Sequence, residues 1–285
     1  MTLQGKHIVI TGPTAGIGRA SALSLAADGA DLTLLCRSPE KASALADEIV
    51  ARGGCTPRVV PLDMASLASV RQAASDCLGL DRPIDILLNN AGAIYTRRQL
   101  TVDGFEETLA VNHFAPFLLT GLLLPAILRA PQARIVNVAS AAHAFVRGMQ
   151  FDDLHAERGY RMFREYGRSK LANVLFTREL ARRLAGRDVT VNCLHPGAVT
   201  TSLGSQNGGI ASRVMPLLLK PFFKSPEQGA ETTIYLCTSD AVADTTGEYF
   251  VNCKPRRPKP WARDDEAAKR LWRLTEESVG FQYPV

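Results

Sequence analysis

Short runs rich in apolar and β-branched residues alternate with longer segments of helical period along most of the chain. Residues 7–11, 31–36, 58–62, 84–88, 134–139, 189–194 and 248–251 read as strands, each bounded by residues that favour turns. Strands separated by helices form βαβ units, and such units add up to a parallel sheet with helices on both faces. Helix starts are written into the intervening segments. Ser38-Pro39-Glu40 sets a capping hydroxyl before a proline at the first helical position, and Ser225-Pro226-Glu227-Gln228 adds the glutamine of a capping box. No internal repeat, low-complexity tract or Gly/Ser linker divides the chain, and residues 254–263 (KPRRPKPWAR) read as a proline-rich basic connector before a last helix. The pattern predicts a single α/β domain over residues 1–285, a doubly wound parallel sheet of Rossmann type with about seven strands flanked by helices.

Two apolar stretches interrupt this rhythm. Residues 115–128 contain Pro116 and Pro125 and fall short of the roughly 20 residues a helix needs to cross a bilayer, so they predict a core helix. Residues 214–223 (VMPLLLKPFF) are shorter and are broken by Pro216, Lys220 and Pro221.

Composition narrows the classes. With 285 residues and 46% hydrophobic content the chain can bury one sizeable core. A net charge of +5 with acids interleaved among the bases does not point to nucleic acid. The six cysteines include no C-x-x-C pair and no Cys/His cluster at ligand spacing, which predicts neither a metal site nor a disulfide framework and fits a reducing compartment. The first apolar run starts at His7 and is too short for a signal peptide, so a cytoplasmic protein with no membrane span is expected, peripheral membrane contact staying open.

The chemistry begins directly after the first strand. In Thr11-Gly12-Pro13-Thr14-Ala15-Gly16-Ile17-Gly18-Arg19, Gly12 permits a tight turn, Gly16 removes a side chain where a pyrophosphate approaches, and Gly18 lets a helix pack closely on the strand. The helix N-terminus then offers unpaired N–H groups and a positive dipole end to phosphate. At the end of the second strand an acid would hydrogen-bond a ribose 2′-hydroxyl. The chain has Arg37-Ser38 instead, and Arg19 follows the last glycine. Two guanidinium groups converging on a 2′-phosphate favour NADP(H) over NAD(H).

Tyr166 and Lys170 stand four apart in a helical stretch and share a face. An ammonium beside a phenol favours the phenolate and so tunes it for acid/base work. Ser140 ends the strand over 134–139, where its hydroxyl can meet a substrate oxygen, and Asn112 is a candidate holder of a water relaying protons to Lys170. His113, His143 and His195 form no set with a carboxylate pair and read as core or loop histidines.

Together these residues resemble the short-chain dehydrogenase/reductase family. The motifs run in order as TGPTAGIG (11–18), Asp63, NNAG (89–92), Asn112, Ser140, Tyr166 with Lys170, and PGAVTT (196–201). The segments DGFEETLAVNHFAPFLLTGLLLP, RIVNVASAAH, SKLANVLFTREL, VTVNCLHPG and GEYFVNCKP are similar to the retinol dehydrogenase-like branch. The resemblance implies a catalytic tetrad of Asn112, Ser140, Tyr166 and Lys170, with Lys170 also bonding the nicotinamide ribose. It implies that Asp63 contacts adenine, that Asn90 and Gly92 line the adenosine side, and that Pro196, Gly197, Val199 and Thr201 flank the nicotinamide and its phosphate. Pro13, Thr14 and Ala15 depart from the Ala-Asn-Thr more frequent in this branch, although Thr14 keeps a hydroxyl for phosphate and Ile17 stays beside it. Membrane-anchored relatives carry an apolar N-terminal segment that does not precede His7 here, so the expectation of a soluble chain stands.

The expected reaction interconverts a hydrophobic alcohol and its aldehyde or ketone, Tyr166 handling the proton and Ser140 the oxygen. Residues 201–224, rich in Leu and Phe, are a candidate substrate lid, with a subunit contact or a membrane contact as alternatives. The resemblance implies a homodimer or homotetramer paired through the helices carrying Asn112 and Tyr166. Two other functions stay open on the sequence, a catalytically silent NADP(H)-binding sensor or scaffold and a reductase of a tetrapyrrole C=C bond.

Overall fold

Every residue of β1 (His7–Thr11) is buried, and the strand pairs in parallel with β2 (Asp31–Cys36) on one side and β4 (Ile86–Asn89) on the other. The computed structural model of the protein describes residues 3–197 and 224–285. Beyond β2 lies β3 (Arg58–Pro61), and beyond β4 follow β5 (Ala133–Val138), β6 (Val189–His195), β7 (Tyr249–Val251) and β8 (Lys254–Pro255), giving the order β3-β2-β1-β4-β5-β6-β7-β8. The strand order reverses between β1 and β4, and a crevice opens at such a switch point beyond the carboxyl ends of the strands.

All seven expected strands form, with ends shifted by no more than two residues. The eighth, antiparallel β8, falls in the segment expected to be a connector. Asn252 at φ 51° and Cys253 at φ 57° make a tight hairpin there, and Pro255, which cannot donate to a ladder, is tolerated at the sheet edge.

Strand alternation divides the core. Ile8 and Ile10 pack with Leu25 of α1 (Gly16–Ala27), Leu45 of α2 (Pro39–Ala51) and Leu236 of α7 (Pro226–Thr238). Val9 and Leu35 face the opposite layer, built from α3 (Leu67–Leu78), α5 (Ala115–Ile127), α6 (Met162–Arg183) and α8 (Asp265–Val279). The expected caps are in place: the Ser38 hydroxyl accepts from Lys41 N, and Ser225 with Gln228 closes a capping box.

A short α4 (Glu107–Leu109) runs through a π-helical turn, Ala110–Phe114, into α5. The continuous helix Glu107–Ile127 is long and apolar enough to cross a bilayer, but 89% of its most apolar stretch is buried inside the fold, in keeping with a core helix. Outside α5 and α6 lies α8. Its Trp272, 2% exposed, meets Phe117 edge-on with ring centroids 4.9 Å apart and stacks on Phe176 at 5.9 Å. The Tyr283 hydroxyl donates to the Phe117 carbonyl at 2.6 Å. A partner copy pairing through α5 and α6 on this side would have to displace α8 of the same chain. Val199, Thr201 and residues 201–223 of the candidate lid lie outside the described residues.

Candidate active site

Strand ends deliver nearly every expected residue to one cleft of about 590 Å³. Its walls carry the glycine turn after β1, Arg37 after β2, Asp63 after β3, Asn90 and Gly92 after β4, Ser140 after β5, and Pro196 with Gly197 after β6. Tyr166 and Lys170 enter from α6. At its nucleotide end α1 begins with no side-chain cap and no acid in its first turn, so its leading N–H groups remain available to an anion.

The glycines there are required by contact. A Cβ on Gly18 would stand 2.2 Å from the Gly12 carbonyl oxygen and 2.4 Å from Asn90 Nδ2. Gly12 has φ +62° and its Cβ position lies 3.0 Å from Ala91 Cα, so the turn is left-handed as well as tight. Asn90 braces this turn, its amide donating to the carbonyls of Thr11 and Gly12 at 2.9 and 3.0 Å. Thr14, Gly16 and Ile17 complete the same wall. A turn with glycines at 12, 16 and 18 beside an uncapped helix start fits a dinucleotide pyrophosphate.

The two arginines do not converge as expected. Arg37 lines the cleft, whereas Arg19 pairs with Glu48 on α2 and is not part of the wall. A carboxylate one helix away captures the guanidinium, a contact that residue order does not reveal. Lys41, in the first turn of α2, takes a place beside Arg37 instead. Its only signal in the sequence is the Ser38 cap, which fixes where that first turn starts.

At the other end of the cleft, Ser140 caps a 3-10 turn, Ala141–Phe145, its hydroxyl accepting from Ala142 N at 3.1 Å. Burial pushes the Tyr166 phenol up to about 12, and a hydrogen bond with Ser140 opposes that shift. Lys170 is 3% exposed, donates to the Val138 carbonyl at 2.9 Å, and holds its Nζ 5.7 Å from the Tyr166 ring centroid. Burial pulls its pKa down to about 8. Burial, opposed by Ser140 and not by Lys170, therefore sets the Tyr166 phenol and favours its neutral form.

Asn112, fully buried in the π-helical turn, accepts from Ala93 N at 2.7 Å and donates to Ala93 O at 2.8 Å and Ser169 Oγ at 2.9 Å. Ser169 in turn donates to the Tyr166 carbonyl at 2.8 Å. Both amide hydrogens are thus spent on bracing, and Asn112 ties the π turn to the helix position of Tyr166. A Cβ on Gly92 would lie 3.3 Å from both Asn112 Oδ1 and Lys170 Nζ, so the three meet at one point.

His113 and His143 take structural places. His113 is buried against Phe114, Phe117 and Phe176 and bonds Thr275 Oγ1. His143 has Nδ1 2.7 Å from the Ser140 carbonyl, which makes that nitrogen the donor, and Trp261 Nε1 donates to the His143 carbonyl at 3.0 Å. This support of Ser140 by the C-terminal segment has no counterpart in the sequence reading.

The family model for short chain dehydrogenases matches residues 6–208. Retinol dehydrogenase 13 of Homo sapiens is 42% identical over 292 residues, covering 99% of this chain and 87% of that one. Among solved structures, a protein from Mycobacterium paratuberculosis is similar with a TM-score of 0.80 at 30% identity, covering 100% of this chain and 97% of that chain. A blue fluorescent protein from a metagenomic library, solved in complex with NADPH, is similar with a TM-score of 0.68 at 30% identity, covering 88% and 97%.

Proposed function

The chain belongs to the short chain dehydrogenase family, in its retinol dehydrogenase-like branch, and from that premise we propose that it interconverts a hydrophobic alcohol and its aldehyde or ketone with NADP(H). The observation that carries the reading is the meeting of Ser140, Tyr166 and Lys170 on the wall of one cleft whose far end is the glycine turn, with Lys170 Nζ 5.7 Å from the Tyr166 ring centroid. Arg37 and Lys41 on the wall, with no acid ending β2, support NADP(H), and one structural relative was solved with NADPH.

When bound, the reduced nicotinamide supplies a hydride to the carbonyl carbon. The chain's own residues handle the oxygen. Ser140 donates a hydrogen bond to it and polarises the carbonyl, and Tyr166, protonated at neutral pH, gives up its proton as negative charge develops there. The Lys170 ammonium stabilises the phenolate left behind, and oxidation of the alcohol runs the same transfers in reverse.

The test is oxidation of NADPH and NADH by the purified protein against aldehydes and ketones. Turnover is expected with NADPH in preference to NADH. Tyr166→Phe should lower kcat by about a thousandfold, within the range of general acid catalysis, while NADPH affinity stays within about threefold, since binding does not use the hydroxyl's proton. Equal turnover by the two proteins would remove Tyr166 from the reaction.

A further inference from the structure

Two phenylalanine rings stand in water beside the reacting groups. Phe145 is 63% exposed and Phe163 is 61% exposed. Among the described residues they are the only large hydrophobic side chains that are both exposed and part of the cleft wall; Val50, Leu100 and Val102, for example, are exposed elsewhere. Isolated apolar side chains on a surface need no explanation, but two aromatic rings at the rim of one cleft mark a surface that a ligand covers.

Their placement follows the catalytic elements. Phe163 precedes Tyr166 by three positions in α6, so the face that carries Lys170 and Tyr166 continues to Phe163 one turn earlier. Phe145 ends the 3-10 turn that Ser140 caps, and it lies against Gly167: a Cβ there would be 3.3 Å from Phe145 Cβ and 2.9 Å from the Ala142 carbonyl oxygen. One ring therefore rides on the element of Ser140 and the other on the element of Tyr166. The two rings thus stand on the two elements that would hold the oxygen of a bound molecule, on the wall of the same cleft.

We infer that Phe145 and Phe163 are the specificity-determining pair of this enzyme, flanking the tail of an extended apolar carbonyl compound whose oxygen is held by Ser140 and Tyr166. The inference rests on the proposed function and goes beyond it, because it places selectivity on two fixed elements rather than on residues 201–224. On this reading a short carbonyl compound fills the oxygen site with little of its length left to reach the rings, so discrimination between long and short substrates resides in the pair.

Butanal and decanal separate the two cases. For the wild-type protein with NADPH, kcat/KM is expected to rise steeply from butanal to decanal. Phe145→Ala and Phe163→Ala should each reduce the decanal-to-butanal ratio by about tenfold, and Phe163→Leu should restore most of it. Both rings are exposed, so their removal spares the core, and thermal unfolding checks this. An unchanged ratio in both alanine variants overturns the inference. If the wild-type protein reduces no aldehyde, the proposed function fails, and calorimetric binding of 1-decanol in the presence of NADP+ then decides the inference by itself. Weaker binding by the Phe145→Ala/Phe163→Ala double variant sustains it, whereas equal binding, or none by either protein, refutes it.

Discussion

Burial moves Tyr166 and Lys170 in opposite directions, and both movements suit carbonyl reduction. Each group is pushed toward its neutral form, which raises the phenol to about 12 and lowers the ammonium to about 8. At neutral pH Tyr166 accordingly holds the proton that the proposed reduction would take from it, and Lys170 still holds its charge. As pH rises, the first loss is that charge, near pH 8, well before Tyr166 ionises. For aldehyde reduction with NADPH, kcat/KM is expected to be level up to about pH 8 and then to fall by up to about tenfold per pH unit. A pH–rate profile checks this, and a level profile to pH 10 would take the Lys170 charge out of the mechanism. Lys170→Arg, charged throughout this range, should move the alkaline fall upward if the arginine finds room.

Among the elements, α1 and its preceding turn carry the tightest constraint. The atoms facing Gly18 are the Gly12 carbonyl and the amide of Asn90, which is itself held by two hydrogen bonds. Neither can yield as the end of a flexible side chain would. Gly18→Ala should therefore force α1 away from β1, costing about 1–3 kcal/mol of stability and weakening NADPH binding at least tenfold. Gly148→Ala, where a Cβ meets nothing within 4 Å, is the control and should change neither. Denaturant unfolding and fluorescence titration with NADPH measure both quantities, and a Gly18→Ala protein that binds NADPH normally would contradict the close packing. The π-helical turn Ala110–Phe114 does comparable work on the other side of the cleft. It puts Asn112 where its amide reaches Ala93 and Ser169 together.

For the molecule as a whole, α8 decides which surface is free. Trp272 closes over Phe117 and Phe176, the Arg183 guanidinium lies 4.3 Å from its ring centroid, and Tyr283 seals the edge. The face of α5 and α6 that carries Phe117 and Phe176 is thus satisfied within the chain. If a second copy would pair on that face, light scattering on the purified protein gives the mass of one chain, and a wild-type dimer places the interface on another face of α5 and α6. Trp272→Ala, by opening a cavity of aromatic size, should cost about 3–5 kcal/mol and promote self-association through the uncovered face. A wild-type dimer that persists in Trp272→Ala with undiminished stability would assign α8 another role.

The fold and the residue set were legible in the sequence because both are written locally. Strand and helix periods, two capping serines and the glycine turn each sit within a few neighbouring residues, and a sheet wound in this order brings its strand ends to a single edge. Tyr166, Lys170, Ser140 and Gly18 could be picked out for the same reason. What the tertiary structure alone decided involves partners far apart in the chain. Glu48 draws Arg19 away from the cleft, and Lys41 stands beside Arg37 in its place. Trp261 reaches back to His143, and α8 covers helices more than a hundred residues earlier in the case of α5. Exposure of Phe145 and Phe163 is likewise invisible in the sequence, since an aromatic residue of helical spacing reads as core until the surrounding chain is seen not to cover it. Local periodicity fixes which way a side chain leaves its own element. Only the packing of distant elements fixes what it meets.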